Sequence, residues 1–168
     1  SLADINCHDD IPETADTLEG NAMIKARWVK NHYGYDCFSD DTGLEVEALG
    51  GEPGVKSARY ASAHGGSAHH DSRANMKLLL EKLNGVTDRK ARFRTAVAMI
   101  IGSTEKIFEG IVDGKIIEEA RGIDGFGYDP IFMPEGEQLT FAEMSAEQKN
   151  SLSHRRRALD SFMEFFDK

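Results

Sequence analysis

The run ARFRTAVAMIIG, residues 91–102, constrains the fold more than any other stretch. It alternates apolar and polar at first, then turns continuously apolar from Ala96 to Ile101. Alternation marks a strand with one buried face, whereas an unbroken apolar run marks a central strand buried on both. Such a strand needs a layer of structure on each side, and the rest of the chain must provide it.

Helical patterns meet that need. Residues 17–33 place Leu18, Ala22, Lys25, Ala26 and Val29 on one face, with Thr17 as cap and Gly34 as terminator. A second helix is predicted over 71–83, capped by Asp71 or Ser72 and stopped at Asn84-Gly85. A third is predicted from about Ser153 to Phe166, with Leu159, Phe162, Met163 and Phe166 as its apolar stripe. YDCFSDD reads as a short strand ending in carboxylates, GLEVEAL as another, and Asp113-Gly114 as a hairpin turn between β-branched flanks. Residues 50–70 read as a long Gly, Ser and His loop. The fold class is therefore α/β, with a mixed twisted sheet flanked by helices.

At 168 residues the chain is long enough for one well-packed domain. No apolar run approaches the roughly 18 residues of a membrane span, and the first residues lack a signal-peptide pattern. Cys7 and Cys37 form no metal-type pair and read as free thiols, which points to a cytoplasmic protein. A net charge of −9 argues against a nucleic-acid binder, so any anionic ligand must meet a local basic site.

Four places carry candidate chemistry. Asp40 and Asp41, read at a strand end before Thr42-Gly43, suit a divalent metal or a general base, or else form a solvated turn. In GIDGFGYDP, Gly122, Gly125 and Gly127 permit close backbone approach, Phe126 and Tyr128 offer faces for a base, and Asp129 before Pro130 is expected extended with its carboxylate outward. Lys149, His154 and Arg155 to Arg157 concentrate cations around a helix start, whose N–H groups attract anions; the opposing reading leaves the arginines in solvent. Glu13 and Lys25 are unremarkable singly. Together, a carboxylate pair, an aromatic Gly loop and a Lys/His/Arg cluster are what a Mg²⁺-dependent enzyme acting on a nucleoside triphosphate requires.

The segments ET…T.EGNA..KAR, SDDTGLEVEALGGEPGVKSARY, GFGYDPIF and KNSLSHRRRAL, in this order, resemble the inosine/xanthosine triphosphate pyrophosphatase family over nearly the whole chain. The resemblance implies an elongated sheet, two lobes with a cleft between them, and a homodimer. It implies Mg²⁺-dependent hydrolysis of ITP, dITP and XTP to the monophosphate and pyrophosphate, cleaning the nucleotide pool. By matching position it implies Asp41 as general base and metal ligand, Glu13 as the second metal carboxylate, and Asp40 as their support. Thr42, Lys25 and Lys149 would contact the phosphate side. Phe126 would stack on the base, Gly127, Tyr128 and Asp129 would complete that loop, and His154 and Arg155 would read the 6-oxo edge. Arg donors suit that acceptor and not the 6-amino group of adenine.

The family pattern opens on a strand and a Thr/Ser-x-Asn-x-x-Lys loop that grips the triphosphate. No such motif stands before Asp16, so the expectation is a single domain over 1–168 lacking the leading strand and phosphate loop. His64, His69 and His70 read as a surface loop rather than a metal site. The alternatives are a nucleotide-binding module without turnover and a related pyrophosphatase with another base preference.

Overall fold

The computed structural model describes residues 2–66 and 70–167. Its elements run α1 (Leu18–Tyr33), β1 (Cys37–Val46), a short α2 (Tyr60–Ala63), α3 (Ser72–Lys82), β2 (Lys90–Ile101), β3 (Thr104–Ile116), β4 (Phe132–Pro134), α4 (Ala146–Leu152) and α5 (His154–Glu164). The four strands form one sheet in the order β1-β2-β3-β4. The α/β class holds, and every pairing in this sheet is antiparallel rather than mixed in direction.

β2 is the central strand its sequence demands. Ala96, Ala98 and Ile100 face α1 and pack with Leu18, Ala22 and Ala26. The intervening Val97 and Met99 face α5 and pack with Phe108 and Ala158. A larger core at the other end of the sheet gathers Leu44, Tyr60, Leu79, Phe93, Tyr128, Phe132 and Phe141 among others. Small residues let α1 lie close: Ser39 Oγ on β1 donates to the carbonyl of Ala22 at 2.5 Å.

Several local expectations change. YDCFSDD and GLEVEAL are one continuous strand of 10 residues, because Gly43 marks a close approach rather than a turn: a Cβ there would lie 2.6 Å from the Gly54 carbonyl oxygen. Asp113-Gly114 lies inside β3, opposite Arg92 and Ala91. The hairpin is instead Gly102-Ser103, between the paired Ile101 and Thr104, with Gly102 at φ +58°. The presumed loop 50–70 contains a 3-10 turn over Gly54–Arg59, then α2. The last helix, expected from about Ser153, is α5; the extended Ser153 separates it from α4 and caps it, its side chain accepting from Arg156 N. Its buried side is Ala158 with Phe162 and Phe165, while Met163 and Phe166 stay exposed. The cause is Gly110 on β3: a Cβ there would sit 1.9 Å from the carbonyl oxygen of His154, so bare backbone seats the helix along its Ala158 ridge.

Candidate active site

β1 organises the site through its pleat. Successive side chains alternate faces, so the neighbours Asp40 and Asp41 point opposite ways. They do not form one carboxylate pair, as the sequence suggested; the strand continues through them instead of ending.

On the α1 face, Asp41 meets Lys25 and Glu13. Lys25 Nζ lies 2.9 Å from Glu13 Oε1 and 3.2 Å from Asp41 Oδ1. Arg59 approaches Glu13 from the 3-10 turn, at 3.5 Å from Oε2 and 3.4 Å from the main-chain oxygen. Burial pushes the Asp41 carboxyl above the ordinary range, with the Glu13 charge adding to it and Lys25 opposing. Burial opposes the Lys25 charge, but the Glu13 and Asp41 contacts outweigh it and hold the ammonium protonated. Two carboxylates beside exchangeable cations suit a small divalent ion of the Mg²⁺ kind, which takes one or two protein carboxylates and completes its shell with phosphate and water. Among the described residues no cluster of three or more His, Cys, Asp or Glu offers a fuller cage.

On the α5 face, a cavity of about 240 Å³ is lined by Thr42, Phe93, Phe126, Tyr128, His154 and Arg155, with Asn75 and Ser57 behind. His154 is 6% exposed and stacks on Phe93, ring centroids 4.8 Å apart and 16° from parallel. Burial, reinforced by the charges of Arg155 and Lys149, pulls its pKa down to about 4. The imidazole at this helix start is therefore neutral near pH 7, and among the described residues its buried Nδ1 has no hydrogen-bond partner. The arginines beside it are each engaged: Arg155 with Asp40 at 3.2 Å, Arg156 with Asp160 at 2.7 Å, and Arg157 with the Ile111 carbonyl at 2.7 Å. Wider depressions lie beside Lys90 and Lys115 and beside Met76 and Leu80, but neither brings together an aromatic face, a histidine and an arginine.

The Gly-rich loop closes on itself. Asp129 is not extended and outward; it opens the 3-10 turn Asp129–Ile131, and its buried carboxylate accepts from Phe126 N at 2.8 Å and Lys149 Nζ at 2.5 Å. Gly125, at φ +84°, leaves the space that carboxylate fills. Lys149 lies 4.4 Å from the centre of the Phe126 ring, which is 65% exposed. Tyr128 is a wall rather than a free stacking face: it is buried, its hydroxyl donates to the Ser57 carbonyl at 2.8 Å, and burial raises its pKa. Gly127 follows Phe126 at the rim, and Thr42 pairs its hydroxyl with that of Thr95 at 2.7 Å. Asn21, Arg59 and Phe93 escaped sequence reasoning. The spacing of Asn21 and Lys25, one turn apart on α1, was the available signal for the first; nothing local marks the others. Of the loop histidines, His64 bonds the Tyr60 carbonyl through Nδ1 and His70 lines the cavity, while His69 lies outside the described residues.

A family model described as the Ham1 family matches residues 1–165. This chain belongs to the Ham1 family. A curated dITP/XTP pyrophosphatase of Christiangramia forsetii is 53% identical over 168 residues, covering 100% of this chain and 86% of that protein. One of Porphyromonas gingivalis is 53% identical over 165 residues, covering 98% and 82%. Among solved structures, the Ham1 protein of Staphylococcus aureus superposes with a TM-score of 0.92 at 38% identity, covering 99% of this chain and 84% of that one. A nucleoside-triphosphatase (dITP/XTP pyrophosphatase) of Mycobacterium abscessus gives a TM-score of 0.83 at 41% identity, covering 99% and 84%.

Proposed function

We propose that this Ham1-family chain hydrolyses deaminated purine nucleoside triphosphates, ITP, dITP and XTP, to the monophosphate and pyrophosphate. The observation that carries the reading is that consecutive residues of one strand serve two chemistries. Asp41 faces a half-buried carboxylate–lysine cluster, and Thr42 faces a purine-sized pocket lined by a neutral histidine and an arginine.

In this reading Asp41 accepts the proton of a water that attacks the α-phosphorus; an O–P bond forms, the α–β anhydride breaks, and pyrophosphate leaves. Glu13 and Asp41 would hold Mg²⁺, which would offset phosphate charge when bound. Lys25 turns to the phosphates, aided by Thr42. Phe126 stacks on the base beside Gly127. Tyr128 and the Asp129–Lys149 pair keep that loop in shape, and His154 and Arg155 present donors to the 6-oxo edge, with Asp40 orienting Arg155. The chain works as a homodimer in the cytoplasm, and a sedimentation mass equal to one chain would count against the dimer. Among the described residues no helix is long and apolar enough to cross a membrane.

The test is product release from ITP with Mg²⁺, reading pyrophosphate and orthophosphate separately. Pyrophosphate alone is expected, and orthophosphate would sink the reading. Asp41→Asn is expected to lower kcat by about 10²–10⁴-fold with the fold retained.

A further inference from the structure

Asn21 is fully buried on α1, a polar side chain one turn before Lys25. Its Oδ1 accepts from the main-chain N of Ala15 at 2.9 Å. Ala15 stands two residues after Glu13, so this bond anchors the segment that carries the first carboxylate. The neighbouring Gly20 makes the anchor possible: a Cβ there would lie 2.6 Å from the Cβ of Ala15. Because Ala15 N–H can only donate, it fixes the amide orientation, and Nδ2 must face the other way. Among the described residues that buried Nδ2 has no hydrogen-bond partner. The Asn21 side chain favours the ionised form of the Asp41 carboxyl, against the burial that raises its pKa. Lys25, one turn further along the same helix face, bonds both Glu13 and Asp41.

We infer that Asn21 is a positioning residue that ties the Glu13 segment to Asp41, its Oδ1 holding the first and its Nδ2 taking over the Asp41 carboxylate when Lys25 leaves it for the phosphates. A buried donor left unpaired is unfavourable, and this exchange gives it a partner in the state where turnover occurs. The inference rests on the reading of Glu13 and Asp41 given above.

Asn21→Asp keeps an acceptor for Ala15 N but removes the donor; Asn21→Ala removes both. With ITP and Mg²⁺, Asn21→Asp is expected to lower kcat roughly 10–100-fold, as outer residues around a metal site do, with KM changed far less. Asn21→Ala is also expected to weaken Mn²⁺ binding, followed by electron paramagnetic resonance on the substrate-free protein. A purely structural amide predicts instead that Asn21→Asp keeps its kcat, and a value within about twofold of the parent overturns the inference. Should Asn21→Asp fail to fold, Asn21→Ser carries the same measurement, its hydroxyl being too short to reach both partners. A parent that releases no pyrophosphate and binds no Mn²⁺ overturns both readings. An active parent with an unimpaired Asn21→Asp overturns the role of Asn21 alone.

Discussion

His154 bears the local consequence of placing a titratable ring in an apolar stack. Its folded pKa of about 4 lies below the ordinary 6.5, so the unfolded chain binds this proton first as pH falls. Its neutrality leaves stability untouched above pH 6.5, and stability is lost progressively between 6.5 and 4. The full loss is on the order of 3–4 kcal/mol. Urea unfolding at pH 7 and pH 4.5 on the parent and on His154→Gln checks this: the parent's midpoint is expected to fall further. Equal falls would show that the ring is not the group responsible. Residue types and order suggested which side chains to suspect, but not which of them share a space. Asp40 and Asp41 are adjacent in sequence and separated by a strand in space. Glu13, Lys25 and Asp41 are far apart in sequence and joined by two ion pairs.

Elements with a strong period were legible. β2 declared its double burial through its apolar run, and α1 declared its limits through Thr17, whose side chain accepts from Gly20 N, and Gly34 at its C-cap. Elements whose form depends on a distant partner were not. Gly114 resembles a turn residue, yet a Cβ there would meet the Met133 carbonyl oxygen at 2.4 Å, so it belongs to the approach of β4. The ridge chosen by α5 depends on Gly110, 44 positions before His154, a relation no local pattern encodes. Gly110→Ala must push α5 off the sheet, because the contacted atoms are backbone. The expected cost is about 1–3 kcal/mol, read as a lower denaturation midpoint, with a parallel fall in kcat/KM because His154 and Arg155 ride on the displaced helix. A midpoint equal to the parent's would mean that α5 yields freely.

At the scale of the molecule, the described residues form three apolar clusters on the two faces of one sheet, and none of these involves the carboxylate group around Lys25. Stability and metal-dependent activity should therefore separate. Adding EDTA is expected to stop pyrophosphate release while shifting the thermal midpoint by no more than about 2 °C, a change that corresponds to about 0.5–1 kcal/mol for a chain of this size. A large drop in the midpoint would make the ion a structural component. The acidic chain also keeps its cations in specific pairings. Arg94 bridges Glu19, Glu45 and Glu109, which joins α1, β1 and β3 across the sheet.

In the function proposed above, the double grip of Lys25 on Glu13 and Asp41 also bears on how a catalytic cycle ends. A triphosphate carries enough charge to draw the lysine away from two carboxylates at once. Once the anhydride is cut and pyrophosphate has gone, the remaining monophosphate is a weaker competitor, and the internal ion pairs close again. The resting contacts thus act as an eviction device, and accumulated nucleoside monophosphate should inhibit poorly.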